Sequence, residues 1–397
     1  MLILSGFKTD MKRWQLKHLV VFLALIFDSI FVFSNSIIYS QDLMESRLNL
    51  ATDAFGPHPF LLNPSSFRAD ELEIFLFNNR GFHEIEYIET DGSGNEQAGT
   101  NTKSSGNNTG IALGINMGSG LNINLIHQMI KSEEATSDRR RSSSEFIETY
   151  TSRLSVIAAV VELFENLSLG LQMRFLDAEV DLVGNLNVNP RNITSFRPSL
   201  LGSGGGLELK LNNLIISAAY VPPLKGKAEI YSEERIITRP GFAEFSGALD
   251  KKKFRLGLSF RRWLYKKDGK SAGTTLDDAN QSSVNLYGLN VERNLLFPLT
   301  ESQIGFDYPL TAESDLRGSI SRISTEINPD IGDSLPGENV KNTRFSYHQI
   351  QVHFIIRNNN LALFIALAKS LDRSHKNARL SYSGDYQGVT LGVKATL

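Results

Sequence analysis

Residue types that do catalytic chemistry are present in this chain, but their spacing matches no catalytic or metal-binding pattern. The seven histidines of the 397 residues are scattered, and no H-E-x-x-H, G-x-S-x-G or P-loop spacing occurs. His348 and His353 are an odd number of positions apart, so on a strand they face opposite sides and cannot share a metal. Cysteine is absent, which excludes disulfides and Cys-ligated metals. We expect no enzyme, no metal and no cofactor, although a membrane-embedded hydrolase that draws its dyad from distant loops stays open as an alternative.

A second set of residues is polar or charged and occupies alternate positions within otherwise apolar segments. Successive side chains of a strand point to opposite faces, so these residues share one face and the apolar residues share the other. Inside a membrane channel, rings of such charges select solutes. Buried in a dry lumen they need partners, and Glu208 and Lys210 are expected to supply each other's counter-charge. The charged members of the predicted lumen set are Arg174, Glu208, Lys210, Arg255, Arg261 and Arg317.

The elements that must position these residues are couplets of alternating segments joined by short turns. In the clearest couplet, Ile111, Leu113, Ile115 and Met117 precede the turn Gly118-Ser119-Gly120, and Leu121, Ile123 and Leu125 follow it with the same parity. Asn and Gly suit such turns because they tolerate positive φ. Comparable couplets turn at Phe164-Glu165-Asn166, at Asn212-Asn213 and at Asn358-Asn359-Asn360.

Polar stretches with the composition of loops separate these couplets, and they are 91–108, 131–144, 181–203, 266–282 and 325–343. Short turns at one end and long polar connections at the other are typical of outer-membrane β-barrels. A soluble β-sandwich also alternates, but it does not show this loop pattern. The sequence therefore predicts an all-β transmembrane antiparallel barrel.

The N-terminus predicts export. Lys12, Arg13 and Lys17 precede an apolar stretch that runs from Leu19 to Phe33, and small residues follow it. We predict a signal peptide over residues 1–40, with cleavage after Ser36 or Ser40. The 41 Lys and Arg residues nearly balance the 43 Asp and Glu residues, so no nucleic-acid partner is expected.

About fourteen strands are predicted for the barrel, which spans residues 70–397, because both chain ends must lie in the periplasm and the strand number must be even. Counting from the tight turns requires 71–90 to be one long strand, with a bulge or kink at Asn78-Asn79-Arg80-Gly81. Pro222-Pro223 predicts a break within 214–231. The strand proposed at 282–309 is too long for one crossing, so a further turn at Asn294–Ser302 and a count of about 12 or 16 strands stay open. The remaining predicted strands are 109–117, 121–131, 145–162, 167–180, 204–211, 241–249, 253–265, 315–325, 344–357, 360–371 and 384–397.

A segment rich in large apolar residues, 41–69, precedes the barrel. An exposed periplasmic tail would not carry so many apolar groups, so we expect this segment to plug the lumen. Its predicted gate residues are Phe55, Phe60, Leu61, Leu62, Asn63, Pro64 and Phe67.

The architecture resembles the FadL-type outer-membrane transporters of long-chain fatty acids and aromatic hydrocarbons. Two features carry the resemblance: Asn63-Pro64-Ser65-Ser66, which is similar to the Asn-Pro-Ala segment after that family's hatch, and the run from Gly204 through Tyr220 to Pro223. The resemblance implies a plugged barrel that takes up hydrophobic molecules passively through an apolar pocket, with the hatch as the gate. Ala362, Phe364, Ala366 and Ala368 provide an apolar lumen patch that suits this function.

Two other functions stay open. The charged lumen set also suits a general or solute-selective porin. A structural barrel or adhesin would act through its loops, for which Arg139-Arg140-Arg141 is the candidate, although a charge run is usually a solvated loop. In each case the expected location is the outer membrane of a Gram-negative-type bacterium. The expected partners are outer-membrane lipid, lipopolysaccharide and the barrel-assembly machinery.

Overall fold

The computed structural model describes the barrel and a short piece of the segment before it. The described residues are 63–66, 69, 71–91, 93–138, 144–186, 189–197, 199–230, 233–239, 241–251, 254–264, 275–277, 283–285, 296–327, 343–358, 360–376 and 380–397. The predicted signal peptide lies outside them. So do the gate residues Phe55, Phe60, Leu61, Leu62 and Phe67, and Arg139-Arg140-Arg141. Within this part of the chain no helix is long and apolar enough to cross a membrane.

The regular structure is antiparallel β-sheet. In chain order its strands are β1 (Leu72–Thr90), β2 (Glu96–Gly118), β3 (Leu121–Asp138), β4 (Ser144–Phe164), β5 (Leu167–Leu186), β6 (Asn189–Phe196), β7 (Ser199–Leu211), β8 (Leu214–Val221), β9 (Leu224–Ile230), β10 (Glu233–Arg239), β11 (Gly241–Lys251), β12 (Phe254–Leu264), β13 (Thr275–Asp277), β14 (Ser283–Asn285), β15 (Leu296–Pro309), β16 (Ser314–Ile327), β17 (Thr343–Asn358), β18 (Leu361–Leu371), β19 (Ser374–Lys376) and β20 (Leu380–Thr396).

Fourteen of these strands form a closed barrel, as the sequence predicted. The ring closes because β1 pairs with β2 on one side and with β20 on the other, so that Phe77 lies opposite both Gly110 and Gly392. Closure leaves no edge strand with unpaired backbone groups, which is the requirement for a sheet that crosses a bilayer. The remaining strands, β6, β9, β10, β13, β14 and β19, lie in the long connections.

Alternation of the side chains separates an outer apolar face from an inner face. On β5, Leu171 and Met173 are 58% and 50% exposed, whereas Gln172 and Arg174 between them are each 3% exposed. The same parity holds on β18, where Leu363, Ile365 and Leu367 point outward. The predicted assignment of faces agrees with this arrangement.

Several polar stretches predicted as loops are strands instead. Residues 96–108 of β2 extend the pairing with β1, and 100–108 also pair with β3. Residues 131–137 of β3 pair with both β2 and β4. Residues 181–186 likewise extend β5, and β6 follows them. Backbone pairing needs no apolar side chains, and only about 9 to 11 residues are needed to cross the bilayer. These polar ends therefore extend the wall beyond the lipid, where both faces tolerate Ser, Thr and Asn.

Two irregularities predicted from the sequence have different outcomes. The bulge at Asn78-Asn79-Arg80-Gly81 is absent, because β1 keeps an unbroken register with both neighbours through these residues. Asn78 instead donates from Nδ2 to Asn107 Oδ1 (2.7 Å) and Thr109 Oγ1 (2.9 Å) of β2. The predicted break at Pro222-Pro223 is present between β8 and β9. The overlong strand proposed at 282–309 is also corrected, since β15 begins only at Leu296.

Candidate functional site in the barrel lumen

A turn from the predicted plug segment is docked against the inner wall. Gly170 of β5 and Gly206 of β7 lie opposite each other in register and both face the lumen. A Cβ atom on Gly170 would lie 2.2 Å from the backbone N of Ser65, and one on Gly206 would lie 1.9 Å from Asn63 Oδ1. The missing side chains thus create a notch that the turn fills. We call Gly170 and Gly206 the glycine notch.

The docked turn is held by its own hydrogen bonds as well as by the wall. Asn63 Oδ1 accepts from Ser65 N (3.0 Å) and from Ser65 Oγ (2.6 Å), and Ser66 N donates to Asn63 O (3.1 Å). Asn63 Nδ2 donates to the carbonyl of Leu207 on β7 at 3.4 Å. Pro64 restricts the backbone at the centre of the turn. Asn63, Pro64, Ser65 and Ser66 are all buried, so the turn is a rigid anchor inside the barrel.

The upper part of the lumen, toward the long connections, contains a buried cluster of charges and aromatic rings. Arg261 of β12 donates from Nε to Glu244 Oε2 of β11 (2.8 Å) and from Nη1 to Glu301 Oε2 of β15 (3.3 Å). Its guanidinium also lies 5.3 Å from the ring centroid of Phe242 and 5.5 Å from that of Trp263. Two carboxylates and two rings therefore fix one arginine in a nearly dry environment.

Arg174 of β5 also reaches this aromatic ring. Its guanidinium lies 5.8 Å from the centroid of Phe242, and its side chain is buried. Phe242 thus has two arginine guanidiniums near its ring. Arg174 and Arg261, both predicted lumen residues, are brought together by this ring.

A second group of ion pairs follows one hydrogen-bonded row near the tight-turn end. Asp250, Arg255, Asp307 and Arg317 are successive register partners on β11, β12, β15 and β16. Arg255 Nη2 lies 2.5 Å from Asp250 Oδ2, and Arg317 Nη2 lies 2.8 Å from Asp307 Oδ2. Charges of alternating sign along one row neutralise each other across the strands.

The remaining predicted lumen charges are also paired. Lys210 Nζ lies 3.7 Å from Glu208 Oε1, which is the partnership expected from their spacing, although the Lys210 side chain is 43% exposed at the tight-turn end. Glu73 of β1 and Lys394 of β20, which the lumen prediction did not include, form a closer pair at 2.7 Å. Arg357 and Asp315 form another pair.

An apolar patch lies on the wall formed by β1, β2, β18 and β20. Phe75 stacks on Phe364 with 5.1 Å between ring centroids, and Phe77 lies 5.9 Å from Phe75. These rings lie flat over glycines: a Cβ on Gly392 would be 1.7 Å from Phe364 Cε1, and one on Gly110 would be 2.3 Å from Phe77 Cζ. Ala362 and Ala366 continue this surface, which agrees with the predicted apolar patch.

Three buried glutamines add neutral polar groups to the lumen. Gln172, Gln349 and Gln351 are at most 3% exposed, and both amide atoms of each have no hydrogen-bond partner among the residues that the structure describes. Gln349 follows Gln303 and Ser321 along one register row. These amides present donors and acceptors to whatever occupies the lumen.

Several lumen residues were missed in the sequence, although strand parity was sufficient to find them. Glu244, Glu301 and Phe242 share the parity of Arg261 and Gly206 in their strands. The glycine notch was signalled by Gly170 and by alternate glycines from 202 to 206. No group of three His, Cys, Asp or Glu side chains in the described residues is placed to hold a metal ion. His348 and His353 lie on opposite faces of β17, as predicted.

The fold and lumen define a class: a fourteen-stranded barrel with an N-terminal segment docked inside. Neither a protein-family model nor a curated protein matches the sequence. Among solved structures, the chain is similar to a FadL homologue of Pseudomonas aeruginosa, with a TM-score of 0.59 at 10% identity over 91% of this chain and 99% of that one. The toluene transporter TodX of Pseudomonas putida gives a TM-score of 0.56 at 12% identity over 86% and 94%. The CymD monoaromatic hydrocarbon channel gives 0.54 at 10% identity over 88% and 95%. The predicted FadL-type resemblance is thus confirmed for the fold, and two of these similar proteins, TodX and CymD, are a transporter and a channel.

Proposed function

We propose that this protein is an outer-membrane channel for the passive uptake of hydrophobic small molecules, gated by its N-terminal segment. One observation carries the proposal: a closed barrel has the stacked rings Phe75, Phe77 and Phe364 on its inner wall and a chain turn docked in the same lumen. A pore for hydrated ions gains nothing from aromatic rings on its inner surface. An apolar solute does gain, because burying apolar area is favourable by roughly 25 cal/mol per Å².

The state of the lumen charges supports the same function. Arg255, Arg261 and Arg317 each have a carboxylate within ion-pair distance on a neighbouring strand. A charge neutralised by its neighbour exerts little selectivity on passing ions. The ion pairs therefore stabilise the wall of the barrel. The apolar patch of the lumen remains as the feature that selects a solute.

The substrate class includes long-chain fatty acids and aromatic hydrocarbons, which are the compounds of the FadL-type resemblance. TodX is a toluene transporter and CymD is a monoaromatic hydrocarbon channel, and both share this fold. We propose delivery by the signal peptide at 1–40, folding by the barrel-assembly machinery and residence in the outer membrane of a Gram-negative-type bacterium. Within this scheme, 41–69 is the hatch and Asn63–Ser66 its anchor.

A porin is the second candidate, and the buried glutamines favour it. Gln172, Gln349 and Gln351 have amides with no partner among the described residues, and a hydrated lumen would satisfy them. A hydrated lumen would admit small polar solutes. The two candidates therefore differ in whether the resting channel conducts.

Uptake measurements test the hydrophobic pathway. Cells that express the protein are expected to take up radiolabelled toluene or oleate faster than cells that lack it. Replacement of both stacked rings, F75N with F364N, is expected to lower that rate at least tenfold without loss of the barrel's shift on an unboiled gel. The matched control is F354N with F306N, which changes two rings that face the lipid. Equal loss in both double variants would contradict a role for the lumen rings.

Conductance in planar bilayers distinguishes the gated channel for hydrophobic molecules from an open porin. The intact protein is expected to show almost no ion conductance. Deletion of residues 55–67 is expected to open a water-filled pore while the strands remain. Equal conductance before and after the deletion would remove the gated transporter. In that case the glutamine-lined lumen would become the solute path.

A further inference from the structure

Basic residues lie on the outer face of six of the fourteen barrel strands, near the level where the apolar face ends. On each of several strands the outward-facing positions are apolar from the tight-turn end upward, and a basic residue then follows. On β12, Leu256, Leu258 and Phe260 precede Arg262, and on β18, Leu367 precedes Lys369. We call this set the outer basic collar, and its members are Arg80 of β1, Lys131 of β3, Arg153 of β4, Arg262 of β12, Arg322 of β16 and Lys369 of β18.

The registers relate some of these residues to one another and to their neighbours. Arg80 and Lys131 lie on one row through Asn107 of β2, and Arg322 lies opposite both Ser302 and His348. Each residue lies eight to eleven residues above the tight-turn end of its strand. At roughly 3.3 Å per residue and about 40° of tilt, this gives a height of about 20 to 28 Å. That distance is close to the height of the apolar band of outer-membrane barrels, about 25 Å. The collar therefore marks the border where lipid head groups begin.

The collar differs from the lumen in its pairing. Except for Arg80, its members make no ion pair and no side-chain hydrogen bond with any described residue, and all except Arg80 are exposed. Three outward carboxylates lie near this level: Glu133, which follows Lys131 on the same face of β3, Asp177, which lies opposite Arg153 in register, and Asp385 of β20. Asp177 accepts a hydrogen bond from Ser199, and Asp385 accepts one from Gln387. At the tight-turn edge the exposed charges are of both signs, for example Glu165, Glu313 and Lys251.

We infer that the outer basic collar binds the phosphate groups of the lipids that surround the barrel on its long-connection side. Each basic residue near an anionic lipid surface contributes roughly 1 kcal/mol, and an arginine can engage a phosphate through two parallel N–H donors. The side chains extend from strand positions that the hydrogen-bonded wall fixes, so the positions of the collar residues are preorganised. This inference is independent of what the lumen carries.

A lipid titration tests the collar. The probe is a bisphosphorylated glucosamine-disaccharide lipid added to the labelled full-length protein in a nonionic detergent, with the same lipid after phosphatase treatment as the reference. The test variant is R262Q/R322Q/K369Q. The control is K103Q/K251Q/K376Q, which removes the same charge from exposed lysines away from the collar. An unboiled gel checks that both variants are folded.

Wild-type protein is expected to bind the phosphorylated lipid more tightly than the dephosphorylated lipid. The collar variant is expected to bind it about a hundredfold more weakly, as three lost contacts of roughly 1 kcal/mol predict, and the control variant is expected to match the wild type. Equal weakening in both variants would reduce the effect to net charge and overturn the proposal. Displacement of the lipid by inorganic phosphate at equal concentration would also overturn it, because the site would then recognise free phosphate.

Discussion

Arg261 and Arg262 are neighbours on β12, and they occupy opposite environments. Arg261 points into the lumen, is 4% exposed, and is held by Glu244, Glu301 and two aromatic rings. Arg262 points outward, is exposed, and pairs with no described residue. The pleat of one strand therefore separates a structural charge from a charge that is free to meet a ligand. Residue type alone does not distinguish the two arginines.

Desolvation explains the difference. A charge inside the lumen loses water on all sides, so it persists only where carboxylates are placed on the adjoining strands. A charge at the lipid border keeps water on one side and needs no protein partner. In this barrel, the face of the strand on which a charged side chain lies therefore decides whether that side chain forms an ion pair.

Removal of the Arg261 side chain is expected to be the most damaging single change. Arg261→Ala leaves Glu244 and Glu301 buried with like charges, which should lower the free energy of unfolding by about 3 to 5 kcal/mol. Urea unfolding of the protein in lipid vesicles measures this change. Adding Glu244→Gln and Glu301→Gln to the same variant should restore most of the loss. If the triple variant is as unstable as Arg261→Ala, the damage comes from lost packing rather than from orphaned charge.

A new charge on the outward face tests the lipid side of the comparison. Leu171→Arg places a cation near the middle of the apolar band and is expected to destabilise the barrel by about 2 to 4 kcal/mol. Leu201→Arg is the matched control, because Leu201 also faces outward but lies near the level of the collar. There the same change is expected to cost only about 0 to 1 kcal/mol. Equal effects at the two depths, measured by the same urea titration, would misplace the lipid band.

Strand parity was sufficient to predict most of the fold. The alternation around Gly118-Ser119-Gly120 and Asn212-Asn213 predicted the tight turns, and Gly118, Ser119 and Asn212 indeed have positive φ. The polar ends of β2 and β3 were mistaken for loops, because composition reports what side chains meet and not whether the backbone is paired. Pro222-Pro223 was predictable because proline lacks the ladder donor.

The lumen was predictable in its composition but not in its partnerships. The parity of Arg261 placed it inside the barrel, yet Glu301, on a different strand and a distant part of the sequence, had no local signal of contact with it. The glycine notch was missed for the same reason. The alternate glycines could be noticed in the sequence, but only the register places Gly170 and Gly206 opposite each other under Asn63. Contacts between distant strands depend on register, which one sequence does not reveal.

Filling the glycine notch tests whether the inner face recognises the docked turn. Gly170→Ala places a Cβ 2.2 Å from the backbone N of Ser65, so the turn must move. We expect a loss of about 1 to 3 kcal/mol in stability and a measurable rise in ion conductance. Gly205→Ala is the control, since its Cβ faces outward and lies 3.5 Å from its nearest neighbours. Unchanged conductance in Gly170→Ala would show that the anchor does not hold the plug.

The smallest effect on stability is expected at the collar, in contrast to the large effect expected at Arg261. In a neutral detergent Arg262→Ala removes no ion pair and no described hydrogen bond, so the free energy of unfolding should change by less than about 0.5 kcal/mol. Addition of the phosphorylated lipid should stabilise the wild type more than the variant, because a ligand that binds only the folded state adds stability. Salt at about 1 M should erase that difference by screening. A large loss already in neutral detergent would mean that Arg262 supports the wall as Arg261 does, and the face of the strand would no longer decide the role of its charges.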